Sequence, residues 1–165
     1  MEADKGSQNF DSAHLRQVRL QKLNNLEAAG IDCFPAEPPE VTHKNQDIKG
    51  NFADLEGRDV SVVGRVTAMR NHGKSLFLDI EDTTDKLQIY VKKKDKDDKE
   101  FDLIASNYDA GDFINAKGEV MKTRLGEVTI KTEEVKMLAK ALLPPPDMRD
   151  GGGITDPEIT RRQRY

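Results

Sequence analysis

The side chains with the most chemistry to offer fall in two short stretches, Leu76-Phe77-Leu78-Asp79-Ile80 and Leu87-Gln88-Ile89-Tyr90-Val91. Both alternate apolar residues with others, the period of a strand that lays one face on a core. Leu76, Leu78, Ile80, Leu87, Ile89 and Val91 take the inner face. Phe77, Asp79, Gln88 and Tyr90 are left on the outer one. A tight turn around Thr83-Thr84 pairs position 77 with 90 and 79 with 88, which makes Phe77 and Gln88 diagonal neighbours. An aromatic face beside an amide suits an unpaired nucleic-acid base: stacking contributes about 1–3 kcal/mol per base, and the amide reads a base edge. Alternation alone gives equal weight to a Phe77 covered by another part of the chain, and Gln88 taken singly reads as a solvated strand residue.

Two loops border this face. Arg70-Asn71-His72-Gly73-Lys74 precedes the first stretch, and Lys122-Thr123-Arg124-Leu125-Gly126-Glu127 follows later. Arg70 can lie against a base or hold a phosphate, and Glu127 can accept from a base N–H such as N3–H of uracil. Lys74, Tyr90, Lys122 and Arg124 are supporting candidates. Each of these charges, taken alone, is an ordinary turn charge, and His72 has no assigned role. Lys92-Lys93-Lys94 runs directly into Asp95, Asp97 and Asp98 and reads as solvated loop charge.

Positioning these residues requires a sheet, and five strands can be placed: Val60–Arg70, Ser75–Glu81, Lys86–Lys92, Asp112–Met121 and Glu127–Met137. Between the third and fourth, Phe101, Ile104 and Tyr108 recur at helical spacing, which predicts a short helix over Asp98–Tyr108. The order β-β-β-α-β-β is that of an OB-fold, a small Greek-key barrel that binds oligonucleotides on its strand 2–3 face and on its 1–2 and 4–5 loops. Ahead of it, Ser12 caps a predicted helix carrying Leu15, Val18, Leu23 and Leu26 and ending near Gly30. Cys33 to Phe52, with Pro35, Pro38 and Pro39, reads as an extended connector. The expected organisation is a disordered tail over 1–11, helix and connector over 12–52, and the barrel over 53–143. Pro144-Pro145-Pro146 and Gly151-Gly152-Gly153 make 144–165 a linker leading into a further domain.

Composition narrows the function classes. The chain has 165 residues, 36% hydrophobic and 34% charged, which suits one soluble domain with tails. No apolar run approaches the length of a membrane span and Met1 to Asn9 is polar, so a cytosolic location without membrane contact is expected. Cys33 is the single cysteine, and His14, His43 and His72 are far apart, so no disulfide or metal site is expected. A net charge of −4 argues against non-specific coating of nucleic acid while leaving room for a local site. No GxxxxGK[ST], HExxH, GxSxG or CxxC motif is present, so no catalytic residue is assigned.

Gly64-Arg65-Val66, Gly73-Lys74-Ser75-Leu76-Phe77 and Lys86-Leu87-Gln88-Ile89-Tyr90-Val91 resemble the N-terminal domain of class II lysyl-tRNA synthetases of bacterial type. Gly111-Asp112, Ala116-Lys117-Gly118, Lys122-Thr123, Gly126-Glu127, Lys140-Ala141-Leu142 and Pro144 extend the resemblance, as does the close Thr155-Asp156-Pro157-Glu158 with Arg162-Gln163-Arg164-Tyr165. That closing run separates it from the similar barrels of aspartyl and asparaginyl synthetases. The resemblance implies anticodon binding by Arg70, Phe77, Gln88 and Glu127, with the central uridine of UUU stacked on Phe77 and read by Arg70 and Gln88, and Glu127 serving a flanking uridine. It implies tRNA(Lys) as partner, a homodimeric full-length enzyme using ATP and magnesium, and catalytic motifs beyond Tyr165. This segment is therefore expected to be inactive and to need no cofactor of its own. Three other readings remain: a structural barrel that supports dimer packing through the Leu15/Val18/Leu23/Leu26 helix, the matching domain of an aspartyl- or asparaginyl-type synthetase, and a free-standing single-strand binder.

Overall fold

The computed structural model describes residues 5–143, with side chains from residue 13 onward. The strands are β1 (Asp59–Asn71), β2 (Ser75–Glu81), β3 (Lys86–Lys92), β4 (Phe113–Lys122) and β5 (Val128–Ala139), and they close into a barrel in the order β1-β2-β3-β5-β4. The β3–β5 pair is parallel and the other four are antiparallel. This is the five-stranded OB-fold barrel that the strand order predicts. β2 and β3 occupy the expected residues, and the other strands shift by one or two at their ends.

The inward set follows the alternation. Leu76, Leu78, Ile80, Leu87, Ile89 and Val91 are all buried, joined by Val62, Val66, Ile114 and Ile130. One backbone approach is close enough to specify its residue: a Cβ at Gly118 would lie 2.2 Å from the Lys131 carbonyl oxygen, beside the bulge where β4 shifts register against β5.

Among the described residues, four helices accompany the barrel: α1 (Lys5–Ala28), α2 (Asn45–Gly50), α3 (Phe52–Leu55) and α4 (Lys99–Asn107). α4 is the helix expected between β3 and β4, and it buries Phe101 and Ile104 while Asp98 caps it by accepting from the Phe101 N–H. α2 and α3 depart from the extended reading of Cys33 to Phe52. The amino end of α2 is held from a distance: the Asn45 N–H donates to Asp82 at 2.9 Å and Asn45 Nδ2 donates to the Asp85 carbonyl at 2.9 Å. Ile48 is then fully buried in the core. Burial pushes the Asp82 carboxyl up, and N–H groups of Asn45, Thr84 and Asp85 with the Thr84 hydroxyl more than offset it, bringing the pKa down to about 2.

α1 begins seven residues before Ser12, so helical backbone replaces part of the expected tail. It docks through only the second half of the predicted stripe. Leu26 is buried and Leu23 is partly so, but Leu15 and Val18 are exposed. Arg19 instead donates to the carbonyls of Ala110 and Ala141, each at 2.9 Å, and Lys22 pairs with Asp109. Asp109 also meets Lys140 at 2.8 Å, and Lys140 meets Asp112 at 2.8 Å with both side chains fully buried. Asp112 accepts further bonds from the Asp109 and Ala141 N–H groups. The network ties α1, the approach to β4 and the chain leaving β5 into one joint. Residues 1–4 of the expected tail, the linker over 144–165 and the closing Arg162-Gln163-Arg164-Tyr165 lie outside the described residues.

Candidate nucleic-acid interface

The β2–β3 hairpin has the predicted register, with Phe77 opposite Tyr90 and Asp79 opposite Gln88. The two rings stack with centroids 5.0 Å apart and planes 30° apart. Both are half-buried, so no element covers the pair completely. Tyr90 is steadied at its hydroxyl by Ser75 Oγ at 3.3 Å, and its carbonyl accepts from Thr132 Oγ1 at 3.0 Å. His72 meets Phe77 edge-on at 6.0 Å, an aromatic partner that sequence left without a role. Gly73 at φ +74 turns the β1–β2 loop so that the His72 N–H donates to the Ser75 carbonyl, and that turn is the signal that places His72 beside the hairpin.

Gln88 is not a solvated strand residue: it is only 7% exposed. Its Oε1 accepts from the buried Thr129 Oγ1 at 2.9 Å, and its Nε2 donates to Glu127 Oε2 at 3.1 Å. The amide is therefore held in one orientation, and one of its two N–H groups remains uncommitted. Thr129 reaches Gln88 through the parallel β3–β5 ladder, where the two residues are register partners. Glu127 is exposed and stands where the β4–β5 hairpin closes, its N–H bonded to Thr123 Oγ1 at 3.1 Å.

Arg70 lies opposite Phe77 on β1 and makes a two-pronged bond to Asp79 at 2.8 and 2.9 Å. The hydrogen bonding to the Asp79 carboxylate raises the Arg70 pKa above its ordinary value, against a smaller opposing effect of burial. Asp79, placed on this face by alternation but given no role there, thus orients the guanidinium while leaving its other donors available. Among the supporting candidates, Lys74 and Arg124 are exposed in their loops and Tyr90 belongs to the aromatic pair. Lys122 is drawn elsewhere. It continues the inward side of Gly118 and Val120, and at the strand end its Nζ sits 4.5 Å from the centre of the Phe52 ring in α3.

The assembled face can stack flat rings, donate from an amide and a guanidinium, and accept at a carboxylate. No group of three or more His, Cys, Asp or Glu among the described residues could hold a metal ion. No described helix is long and apolar enough to cross a membrane.

Residues 60–138 match the model of the tRNA anticodon family, described as an OB-fold nucleic acid binding domain. The chain is also similar to lysine–tRNA ligases: 42% identical to that of Clostridium tetani (strain Massachusetts / E88), covering 92% of this chain and 30% of the relative. It is 39% identical to that of Clostridium novyi (strain NT), covering 92% of this chain and 29% of the relative. For Thermoanaerobacter pseudethanolicus the figures are 37%, 92% and 30%. The chain therefore spans about 30% of the length of these curated relatives. With the barrel, its outer face and these likenesses together, the domain over residues 60–138 belongs to the tRNA anticodon OB-fold family, and the chain is a homologue of the corresponding segment of lysine–tRNA ligases.

Proposed function

We propose that the outer face of β2 and β3 reads the UUU or CUU anticodon of tRNA(Lys) for a lysine–tRNA ligase. The observation that carries this reading is the placement of a stacked aromatic pair, Phe77 and Tyr90, beside a Gln88 amide clamped between Thr129 and Glu127. The central uridine stacks on Phe77. Its carbonyl oxygens accept from Gln88 Nε2 and from the Arg70 guanidinium held by Asp79, and Glu127 accepts N3–H of a flanking uridine. Because Gln88 and Arg70 are already oriented, little side-chain freedom is lost on binding.

The complete enzyme, in this reading, activates lysine with ATP and magnesium and attaches it to tRNA(Lys) during translation in the cytoplasm. This segment contributes selection of the tRNA and no catalytic group, so it neither activates lysine nor needs a cofactor. The complete enzyme is a homodimer, and the exposed Leu15 and Val18 on α1 offer one face for such packing.

The test is titration with a 17-nucleotide stem-loop carrying UUU, set against the same stem-loop lacking the middle base. Loss of that base is expected to weaken binding by about 1–3 kcal/mol, and Phe77→Ala by a similar amount without adding to it. Equal affinity for the two stem-loops would refute the reading.

A further inference from the structure

The outer face does not end at the aromatic pair. Lys92 is the next residue of β3 on the side of Gln88 and Tyr90, opposite Ser75, and it is exposed. Beyond it the Lys93 N–H donates to the Lys74 carbonyl at 2.9 Å, bringing the β1–β2 loop against the chain leaving β3. Between them lies a cleft of about 440 Å³ lined by Gly73, Lys74, Lys93, Lys94, Asp95 and Lys96.

Of the acidic residues in this stretch, only Asp95 lines the cleft, against four lysines, and three are held by the chain itself. Asp98 accepts from the N–H groups of Lys94 and Phe101 at 2.9 and 3.0 Å, and Asp95 accepts from the Asp97 N–H at 3.0 Å. Asp102 is paired with Lys93. Lys74, Lys92, Lys94 and Lys96 are exposed and make no ion pair among the described residues. A sequence that alternates sign thus folds into a locally cationic cleft on a chain of net charge −4.

Its position indicates its ligand. Lys92 is about 13 Å along the strand from Gln88 at roughly 3.3 Å per residue, and Lys94 lies further on. Three stacked bases at about 3.4 Å each occupy about 10 Å, so a three-base reading is complete before the free lysines begin. We propose that Lys74, Lys92, Lys94 and Lys96 hold the sugar-phosphate backbone of the RNA stem that carries the loop read by Phe77 and Gln88. This rests on the proposed reading of the loop by that face. Ammonium groups on flexible stems suit phosphates, which position the RNA without reading its sequence.

The experiment measures the dependence of affinity on salt for the Lys92→Ala/Lys94→Ala/Lys96→Ala variant and the unaltered chain. The probes are the 17-nucleotide stem-loop and a 7-nucleotide single strand of the same loop sequence. Each lost stem phosphate contact lowers the magnitude of the log–log slope by about 0.9, so the stem-loop slope is expected to fall by two to three while the single-strand slope stays unchanged. An unchanged stem-loop slope overturns the proposal. An equal fall for both probes also overturns it, by assigning the lysines to loop phosphates. Repeating the titration with GUC in place of UUU separates the two readings, because the fall in slope is independent of loop sequence and persists even if UUU preference is absent.

Discussion

Where α1 meets the barrel, Lys140, Asp112, Asp109, Lys22 and Arg19 are packed around one another, and Lys140 and Asp112 are wholly shut off from water. Around the outer face of β2 and β3, Arg70, Asp79 and Glu127 bring a guanidinium and carboxylates again, now with the Gln88 amide and beside open rings. The first set has its carboxylates bonded to both lysines and backbone N–H groups, so nothing is left for a ligand. The second set is held from behind: Asp79 orients Arg70 and Thr129 orients Gln88, with donors remaining toward solvent. Charged groups that close on each other hold a joint together, and charged groups held from one side present a binding surface.

The comparison breaks most directly at Lys140. Lys140→Met leaves the Asp112 carboxylate buried without its cation, which costs about 3–5 kcal/mol. A lower urea midpoint with unchanged denaturant dependence is expected, and in the fraction that stays folded the preference between RNA loops is unaltered. If RNA preference changes as much as stability, the two regions are not separate.

Asp82 is an intermediate case, partly exposed yet bonded on both oxygens to α2 and its own turn. Its folded pKa, about 2, lies below the ordinary carboxylate value of about 3.9. The stability it contributes is therefore full above about pH 4 and is lost as pH falls toward 2. The gap in stability between the unaltered chain and Asp82→Asn should stay constant above pH 4 and narrow below it. A gap that is equally wide at pH 2 and pH 6 would show that the carboxylate charge is not what seats α2.

The smallest effect is the most local. Thr129→Val frees Gln88 Oε1 and removes one hydrogen bond, worth about 0.5–1.5 kcal/mol net. Measured as the ratio of affinities for UUU and GUC stem-loops, discrimination should drop by less than about tenfold with stability nearly kept. An unchanged ratio would mean that the clamp on Gln88 is unnecessary for reading.

What sequence made legible follows from the range of the forces involved. The bounds of β2 and β3, their register and the inward or outward direction of Phe77, Gln88 and Tyr90 depend on alternation and one turn, all within 18 residues. The burial of Gln88 was not legible, because its partners Thr129 and Glu127 arrive through a parallel pairing some 40 residues away. α2 is similarly hidden: its local cap is a single bond, the Lys44 N–H donating to Asp47 at 3.3 Å, and the shorter bond at 2.9 Å goes to the distant Asp82. The joint around Lys140 has no periodic signature at all. It also explains why the predicted Leu15 and Val18 stripe fails to dock: Arg19, Lys22 and Leu26 set the helix face instead.

Reading of the loop sequence by the outer face is tested by a low-salt titration of UUU and GUC stem-loops against the unaltered chain, Phe77→Ala and Gln88→Ala. The expected result is a preference for UUU that falls away in both variants while each keeps its fold by circular dichroism. Equal binding of the two loops by the unaltered chain would contradict it and leave the barrel as a general RNA-binding or assembly module.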